Sequence, residues 1–392
     1  MEKTVSTEKL PIKLWLDDIE PGALQQVKNI ANFPYAIQHV AIMPDAHQGY
    51  GMPIGGVLAV KGVIIPNAVG VDIGCGMCAV KTDITDVTTK QLTNVMTDIR
   101  KSIPLGMNRH KKPQDKNLMP DMPLGPIAER EFGNALKQLG TLGGGNHFIE
   151  IQKDTEGFLW LMIHSGSRNI EHTVATHYNR LAVKENKRKK ASIPKRWQLA
   201  YFKMPSSYGR AYLRDMQYCV AFAFANRKLM MARVMDIVCK HLQGPSGHPA
   251  SGDLGKLIHI AHNYASLEKH FNQNVYVHRK GATSAKKGEL GIIPGSQGSH
   301  SYIVRGKGNK DSFTSCSHGA GRVMSRSRAR KFLDLKKERQ KLDKLGVIHA
   351  IRHARDLDEA GSAYKNIDMV MENQQDLVEI ENQLTPLAVV KG

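Results

Sequence analysis

The segment VDIGCGMC at residues 71–78 places a carboxylate and a thiol three residues apart, at Asp72 and Cys75, in a turn with two glycines. Glycine lets the backbone fold tightly, so both side chains can converge on one metal ion. Cys75 and Cys78 are also spaced like half of a structural zinc site, but such a site needs a second cysteine pair and the chain has none. The segment therefore favours a mixed carboxylate–thiolate site, with Cys78 as a buried, unreactive thiol.

Three further segments each present a histidine beside a short apolar run. They are GGGNHFIE around His147, IHSGSR around His164 and IHIAHN around His262. A single histidine in such a turn is usually a hydrogen-bonded structural residue, but three of them together with Asp72 and Cys75 indicate a metal centre. One thiolate, one carboxylate and several imidazoles suit Mn, Zn, Fe or Co rather than Ca or Mg. Because a thiolate can bridge two ions, the site can be dinuclear.

The segment CSHGAGRVMSR at residues 316–326 is of a different kind. His318 is followed by small residues whose N–H groups can cradle a phosphate, and Arg322 and Arg326 lie on one face if a helix begins here. A histidine held against phosphate beside arginines is positioned to act as a nucleophile as well as a ligand. The alternative is a glycine-rich helix start with surface arginines. The chain lacks G-x-x-x-x-G-K-[ST], so a nucleotide site here is not a Walker P-loop.

Asp45 and His47, in MPDAHQG at residues 43–49, are expected to form another polar turn after a strand. A general-base or RNA-contact role is open for this pair. So is the alternative, in which Asp45 only stabilises the turn.

The strands and helices that must position these segments alternate irregularly along the chain. The apolar pattern predicts short strands at residues 37–43, 54–60, 76–82, 146–151, 158–163, 275–278 and 301–304. It predicts helices at residues 21–32, 92–103, 128–139, 171–190, 208–242, 326–344 and 367–384. Without a βαβ repeat of constant length, we expect an α+β fold in which mixed β-sheets form one compact core with peripheral helices. We expect a single domain spanning residues 1–392.

The charge of the chain indicates a polyanionic partner. Among 392 residues there are 55 Lys and Arg against 36 Asp and Glu, a formal charge of +19, and nucleic acid is the commonest partner of such a protein. Basic stretches at residues 109–116, 187–196 and 326–341 would follow a phosphate backbone by shape and charge, since aromatic residues make up only 6% of the chain. Residues 336–344 also contain Glu338 and Asp343, so this stretch can instead be a solvated helix face.

The cysteines and apolar runs of the sequence also indicate the cellular compartment of the protein. Five cysteines, an odd number spread over a long chain, argue against a disulfide framework and for reduced thiols. The longest apolar run, at residues 219–225, is far short of the roughly 20 residues of a membrane span. The first nine residues lack the apolar stretch of a signal peptide. We therefore expect a cytoplasmic protein with no membrane partner.

Together these motifs resemble the RtcB family of RNA-splicing ligases. The similarity runs from PDAH at residues 44–47 to VKG at residues 390–392, and includes VDIGCG, GNHFIE, HSGSR, HN, PGS at 294–296 and SHGAGRVMSR at 317–326. The resemblance implies a ligase that uses GTP and two Mn(II) ions per active site, in tRNA splicing or RNA repair. Such an enzyme joins RNA with a 2′,3′-cyclic phosphate or 3′-phosphate end to RNA with a 5′-hydroxyl end. A cyclic phosphate is first opened, GMP then passes from a histidine to the 3′-phosphate, and the 5′-hydroxyl displaces GMP.

The resemblance also implies a role for each matching residue. His318 would attack the α-phosphorus of GTP, and Asp45 matches the candidate for handling the 5′-hydroxyl proton. The implied metal ligands, with Cys75 bridging two ions, are Asp72, Cys75, His147, His164 and His262. The implied guanylate contacts are Asn146, His147, Phe148, Ile149, Glu150, His262, Asn263, Pro294, Gly295, Ser296, Gln297, Ser301, His318, Gly319, Ala320, Gly321, Tyr364 and Lys391. The residues implied to hold RNA phosphate are Arg168, Arg322 and Arg326, of which Arg326 is also a candidate catalytic residue.

Partners and competing functions follow from the same patterns. The resemblance implies RNA and an archease-type activator as partners, and we expect a monomer. Two other functions stay open: a metal-dependent phosphodiesterase or phosphatase that opens cyclic phosphates without sealing, and a basic RNA-binding factor with a structural metal.

Overall fold

The computed structural model of the protein describes residues 3–242, 254–349 and 351–392. In chain order, the strands of this part of the chain are β1 Lys3–Val5, β2 Ile12–Leu14, β3 Ala36–His47, β4 Ile54–Val60, β5 Val63–Ile64, β6 Gly76–Lys81, β7 Phe148–Asp154, β8 Leu159–Ser165, β9 Phe202–Lys203, β10 Ile258–Ala261, β11 Asn263–His270, β12 Gln273–Lys280, β13 Ala282–Ser284, β14 Leu290–Ile293, β15 Ser301–Gly306, β16 Ser315–Ser317 and β17 Val378–Lys391. The α-helices are α1 Pro21–Ala31, α2 Pro66–Val69, α3 Thr89–Ser102, α4 Pro126–Gln138, α5 Ile170–Arg188, α6 Ser207–His241, α7 Arg326–Phe332, α8 Leu335–Lys344 and α9 Ile367–Glu372.

Two large sheets form the body of the molecule. A six-stranded sheet has the order β1-β2-β3-β4-β12-β11, with β2 and β3 parallel and the other neighbours antiparallel. An antiparallel seven-stranded sheet has the order β10-β6-β8-β7-β17-β15-β14. Two small sheets pair β13 with β16 and β5 with β9. The mixed sheets and surrounding helices confirm the predicted α+β class.

Helix α3 shows how the sequence builds the layer that covers the seven-stranded sheet. A capping box closes its N-terminus: Thr88 Oγ1 accepts from the N–H of Gln91 at 3.3 Å, and Gln91 Oε1 accepts from the N–H of Thr88 at 2.9 Å. Its apolar stripe packs in one cluster with residues of the sheet and of α6, and these include Leu92, Val95, Met96, Ile99, Ile149, Ile163, Met230 and Val234. Each buried side chain of this size contributes about 1.5–3 kcal/mol. This packing holds the sheet whose strand ends carry the candidate ligands.

Most predicted elements are confirmed at close to their predicted bounds. The strand at residues 54–60 is β4, and the other predicted strands correspond to β3, β6, β7, β8, β12 and β15. The helices predicted before residue 243 correspond to α1, α3, α4, α5 and α6. Among the described residues, no helix is long and apolar enough to span a membrane.

The predicted helix at residues 367–384 is wrong. The short helix α9 ends at Glu372, and Val378–Lys391 forms strand β17, which pairs with β15 on one side and β7 on the other. Pairing on both sides satisfies its backbone groups and overrides the local helical pattern, so tertiary context decides this segment. The strand even accommodates Pro386, which lies at a register shift.

Two other local predictions also need correction. The basic helix predicted at residues 326–344 is two helices, because Asp334 begins α8 by accepting from the N–H of Lys337 at 2.8 Å. Helix α7 starts only at Arg326, so Arg322 precedes it. Asp45 and His47 do not form a turn but lie at the end of β3, in a stretch where the register against β4 shifts.

Candidate functional site

Three of the predicted metal ligands form a tight cluster at one edge of the seven-stranded sheet. Cys75 comes directly before β6 and His147 directly before β7, while His164 lies near the end of β8. Because these neighbouring strands are antiparallel, the start of one meets the end of the next. Cys75 Sγ lies 3.3 Å from His147 Nε2 and 3.3 Å from His164 Nε2. The three ligand atoms lie within 4.8 Å of one another and all three residues are buried.

The other two predicted ligands, Asp72 and His262, border this cluster. The Asp72 side chain interacts with the Cys75 thiol. His262 follows β10, and its N–H donates to the carbonyl of Cys75 at 2.9 Å. Its ring centroid lies 5.2 Å from that of His164. The five residues therefore meet in one place, although they come from segments up to 190 positions apart (72 to 262).

The electrostatics of the cluster suit a cation. Burial lowers the pKa of His147 to about 4 and puts the pKa values of His164 and His262 well below their usual range, so all three imidazoles are neutral and have lone pairs to offer. Burial and the neighbouring Asp72 raise the pKa of the Cys75 thiol. Nδ1 of both His147 and His262 is buried without a hydrogen-bond partner. A thiol, a carboxylate and three neutral imidazoles can hold a transition-metal ion, which would favour the thiolate.

A buried arginine in the middle of α6 hydrogen-bonds to the strand ends that carry the cluster. Arg227 is 0% exposed, and its Nη1 donates to the carbonyls of Gly74 at 3.1 Å and Ser165 at 2.7 Å. Its Nη2 contacts the His259 ring and donates to the carbonyl of Ile260 at 3.5 Å. These carbonyls lie one or two residues from four of the five candidate ligands, Asp72, Cys75, His164 and His262. Arg227 therefore joins the strand ends that present the ligands.

Sequence reasoning missed Arg227 and its neighbour Asn226. The Asn226 side chain bonds the backbone of Thr141 and Gly166 and so joins two further loops at this edge. The available signal was the pair of polar residues inside the apolar stretch AFAFANRKLMM of a predicted helix. A polar pair buried in a helix needs partners, and here its partners are the ligand-bearing loops.

Asp45, on β3 of the six-stranded sheet, and His318, directly after β16 of the small β13–β16 sheet, lie beside the cluster. Asp45 Oδ2 accepts from the backbone N–H of His318 at 3.1 Å and lies 2.5 Å from His318 Nδ1. Asp45 is fully buried, whereas the side chain of His318 is 16% exposed, and the His318 ring centroid lies 4.8 Å from that of His262. Gly321 has a φ of +73°, and a Cβ there would lie 2.3 Å from the carbonyl oxygen of Asp45, so this close approach requires glycine. Asp45 thus holds Nδ1 of His318 and leaves Nε2 free.

A pocket of about 800 Å³ opens in front of His318 and His164. Its other lining residues include Asn146, Phe148, Glu150, Pro294, Gly295, Ser296, Gln297, Gly319, Ala320, Gly321, Arg322, Arg326, Tyr364 and Lys391. Five predicted contacts lie outside its lining, and two of these, His147 and His262, belong to the cluster of candidate metal ligands. The Ile149 side chain packs in the core on the other side of β7, and Ser301 accepts from the N–H of Gly295 at 3.2 Å. Asn263 bridges the carbonyl of Asp72 and the N–H of Gly281.

An acidic residue that sequence reasoning missed stands among the cations of this pocket. Glu359 is 4% exposed; its Oε1 lies 2.7 Å from Arg326 Nε and 3.3 Å from Arg322 Nη1. Its Oε2 accepts from the Tyr364 hydroxyl and lies 4.0 Å from Lys391 Nζ. The only signal in the sequence was its position five residues before Tyr364. Glu359 therefore occupies the centre of a group formed by Arg322, Arg326, Tyr364 and Lys391, called here the Glu359 group.

Glu150 also lines this pocket and lies near Lys391. Burial raises the pKa of Glu150 to about 8, against the opposing effects of Lys391 and Gln152. Burial also lowers the pKa of Lys391, whose Nζ donates to the carbonyl of Asn146 at 3.5 Å and lies 5.5 Å from the centre of the Phe148 ring. A buried carboxyl of this kind suits a ligand group that donates hydrogen bonds.

Arg168 lies beside the metal cluster, and part of its guanidinium group is already hydrogen-bonded within the protein. Its Nε donates to Thr141 Oγ1 at 3.1 Å and its Nη2 to the carbonyl of Gly106 at 2.9 Å. Its φ of +59° is unusual for a residue other than glycine and marks a strained position at the start of α5. Cys75, Cys78, Cys219 and Cys316 are buried thiols, and burial raises the pKa of Cys78 to about 12.

The chain is similar to known proteins over nearly its whole length. The sequence profile of the family described as tRNA-splicing ligase RtcB matches residues 26–122 and 108–392. The chain is 40% identical to the RNA-splicing ligase RtcB of Escherichia coli (strain K12), with 99% of each chain covered. It is 31% identical to the tRNA-splicing ligase RtcB of Nanoarchaeum equitans, with 98% of this chain and 95% of the relative covered. It is also 31% identical to the RNA-splicing ligase RtcB of Mycobacterium tuberculosis, with 94% of this chain and 100% of the relative covered.

Proposed function

Because this chain belongs to the RtcB family of RNA-splicing ligases, we propose that it joins RNA 2′,3′-cyclic phosphate or 3′-phosphate ends to 5′-hydroxyl ends, using GTP and Mn(II). The covalent intermediate of this reaction is GMP linked to His318. The observation that carries the proposal is the pair formed by Asp45 and His318, with a distance of 2.5 Å between Oδ2 and Nδ1, at the mouth of a pocket that also borders the metal cluster.

In this proposal Asp45 sets the chemistry of His318. An Nδ1–H that donates to a buried carboxylate leaves the lone pair on Nε2, which is the nitrogen that can attack phosphorus. Nε2 forms a bond to the α-phosphorus of GTP while the bond to the leaving pyrophosphate breaks. The same carboxylate stabilises the positive charge that develops on the ring.

The metal cluster would hold the ions of this reaction. Cys75, His147 and His164 would hold Mn(II), and Asp72 and His262 would complete the donor set. Bound Mn(II) would neutralise phosphate charge and orient an in-line displacement. Arg227 keeps the ligand-bearing strand ends together during this step.

The remaining pocket residues would bind the guanylate and the RNA. Glu150 and Lys391 would contact a base that both donates and accepts hydrogen bonds. Tyr364 would offer its aromatic ring to the same nucleotide. After transfer of GMP to the 3′-phosphate, the 5′-hydroxyl oxygen attacks that phosphorus and GMP leaves. Asp45 is buried, so the hydroxyl proton would reach it through His318. Arg168, Arg322 and Arg326 would hold RNA phosphate.

Incubation with α-labelled GTP and Mn(II) tests the covalent step. The wild type should acquire a label that is labile in acid and stable in alkali, as a P–N bond is, and His318→Ala should acquire none. Asp45→Asn should label on the order of 10⁴-fold more slowly, because the amide no longer holds the tautomer in which Nε2 has the lone pair. A wild type that binds Mn(II) but takes up no label would refute the mechanism.

Two further measurements separate the competing functions. A sealed product from an RNA pair with cyclic-phosphate and 5′-hydroxyl ends distinguishes a ligase from a phosphodiesterase or phosphatase, which would only open the ring. Cys75→Ala should be folded by circular dichroism but inactive. A factor with a purely structural metal would instead lose its fold in this variant.

A further inference from the structure

The exposed face of helix α5 carries a regular row of polar and basic side chains that leads away from the metal cluster. The helix begins two residues after Arg168, beside Asp72. The α5 row consists of His172, Thr176, Arg180 and Lys184, each four positions from the last. Residues spaced by four lie on one side of a helix, about 6 Å apart along its axis. The row therefore extends over about 18 Å.

A shallow groove follows this row. Two depressions of about 500 and 120 Å³ share Thr176 and Arg180. The larger one is lined by His172, Thr173, Thr176, His177, Arg180, Leu181 and Lys184. The smaller one reaches Gly70 and Val71, next to the candidate metal ligand Asp72. The groove thus connects the α5 row with the turn that presents the metal ligands.

The charge in this groove has one sign. Neither depression has an acidic residue in its lining. The two acidic residues of α5, Glu171 and Glu185, are each only 8% exposed. Glu185 is paired with Arg188 and Lys189. The accessible face of α5 therefore offers cations and hydroxyl groups without competing carboxylates.

We propose that the α5 row binds the phosphate backbone of single-stranded RNA next to the end that is being joined. This inference rests on the proposed function and adds a path for the substrate. Arginine, lysine and threonine side chains are the groups that contact phosphate oxygens, and evenly spaced cations match a repeating charge. Leu181 in the larger depression and Val71 in the smaller one are the large aliphatic side chains of the groove lining, which gives an acidic protein little surface to bury.

The test is the binding of a 3′-phosphate RNA oligonucleotide to the full-length protein without nucleotide, followed by fluorescence anisotropy over a range of KCl concentrations. Arg180→Ala combined with Lys184→Ala should weaken binding about tenfold at low salt. The slope of log affinity against log salt should fall by about 1.4, since each lost contact to a single strand removes about 0.7. The matched control, Lys90→Ala with Lys101→Ala, removes two exposed lysines from helix α3 and should change affinity less than twofold.

Several results would overturn the proposal that the α5 row binds RNA. Unchanged affinity and salt slope in the α5 variant would do so, as would an equal loss in the α3 control. Loss of poly-glutamate binding with RNA binding retained would assign the groove to an acidic protein instead. Labelling of His318 by GTP without RNA should be normal in the α5 variant. Absence of this labelling in the wild type would refute the proposed function and leave the RNA-binding comparison intact.

Discussion

The cluster of candidate metal ligands and the Glu359 group lie in one site but are stabilised in different ways. The cluster is buried and its imidazoles are neutral, and its positions are set by strand pairing and by the backbone contacts of Arg227. The Glu359 group consists of charged side chains, and one of them, Arg326, is 49% exposed. In the cluster, no internal charge takes the place of a ligand. In the Glu359 group, a carboxylate already lies where an anion would bind.

This contrast indicates how the cluster and the Glu359 group should each respond to a ligand. Ligands set by backbone geometry are preorganised, so metal affinity and local stability should be lost together when the supporting contacts are removed. Cations held by an internal carboxylate must exchange one anion for another. Stability and anion affinity should therefore change in opposite directions there.

The largest effect is expected for Arg227→Met. The substitution leaves buried carbonyls without their donor, so the free energy of unfolding should fall by about 3 kcal/mol in urea titrations of metal-free protein. Affinity for Mn(II), measured by calorimetry, should fall at least tenfold because the ligand-bearing strand ends are no longer joined. Arg210→Met on the exposed part of α6 is the control and should change stability by less than about 0.5 kcal/mol. An Arg227 variant with normal stability and normal Mn(II) affinity would contradict the support role.

A smaller and mixed effect is expected for Glu359→Gln. Without its carboxylate, the partly exposed cations lose a partner and stability should fall by about 1 kcal/mol. Binding of inorganic tripolyphosphate, used as the probe, should become a few-fold tighter because Arg322, Arg326 and Lys391 are no longer neutralised. Thermal unfolding with and without tripolyphosphate measures both quantities. If the variant also binds the probe more weakly, Glu359 positions the cations and does not compete with the anion.

The last prediction concerns the pH dependence of stability. The carboxyl of Glu150 has an ordinary pKa of 4.5 and one of about 8 in the folded protein, so between these values the folded protein retains a proton that the unfolded chain has lost. This contribution to stability falls as the pH rises through that window. The amide in Glu150→Gln does not titrate. The free energy of unfolding of this variant, relative to wild type, should therefore rise from pH 5 to pH 8. The exposed Glu129→Gln should show no such trend, and a wild-type-like slope in Glu150→Gln would place the titration elsewhere.

Much of the fold was predictable wherever local pattern and tertiary environment agree. The stripe of Leu92, Val95 and Ile99 predicted α3 because one face of that helix is buried. The pattern failed at residues 378–391, where pairing on both sides makes a strand of a segment that alone favours a helix. It also failed at Asp45, since nothing in MPDAHQG reveals that β3 continues through it.

The sequence by itself determined which chemical groups are available. Thiol, carboxylate, imidazole and guanidinium side chains have intrinsic preferences for metal ions and phosphate, and short motifs such as VDIGCG and SHGAGR present them in turns. Only the tertiary structure decided that these groups meet, that Arg227 joins the ligand-bearing strands, and that Glu359 stands among the cations. The physical reason is that these contacts join residues far apart in the chain. Their formation depends on the order of strands in the sheets, which local sequence does not encode.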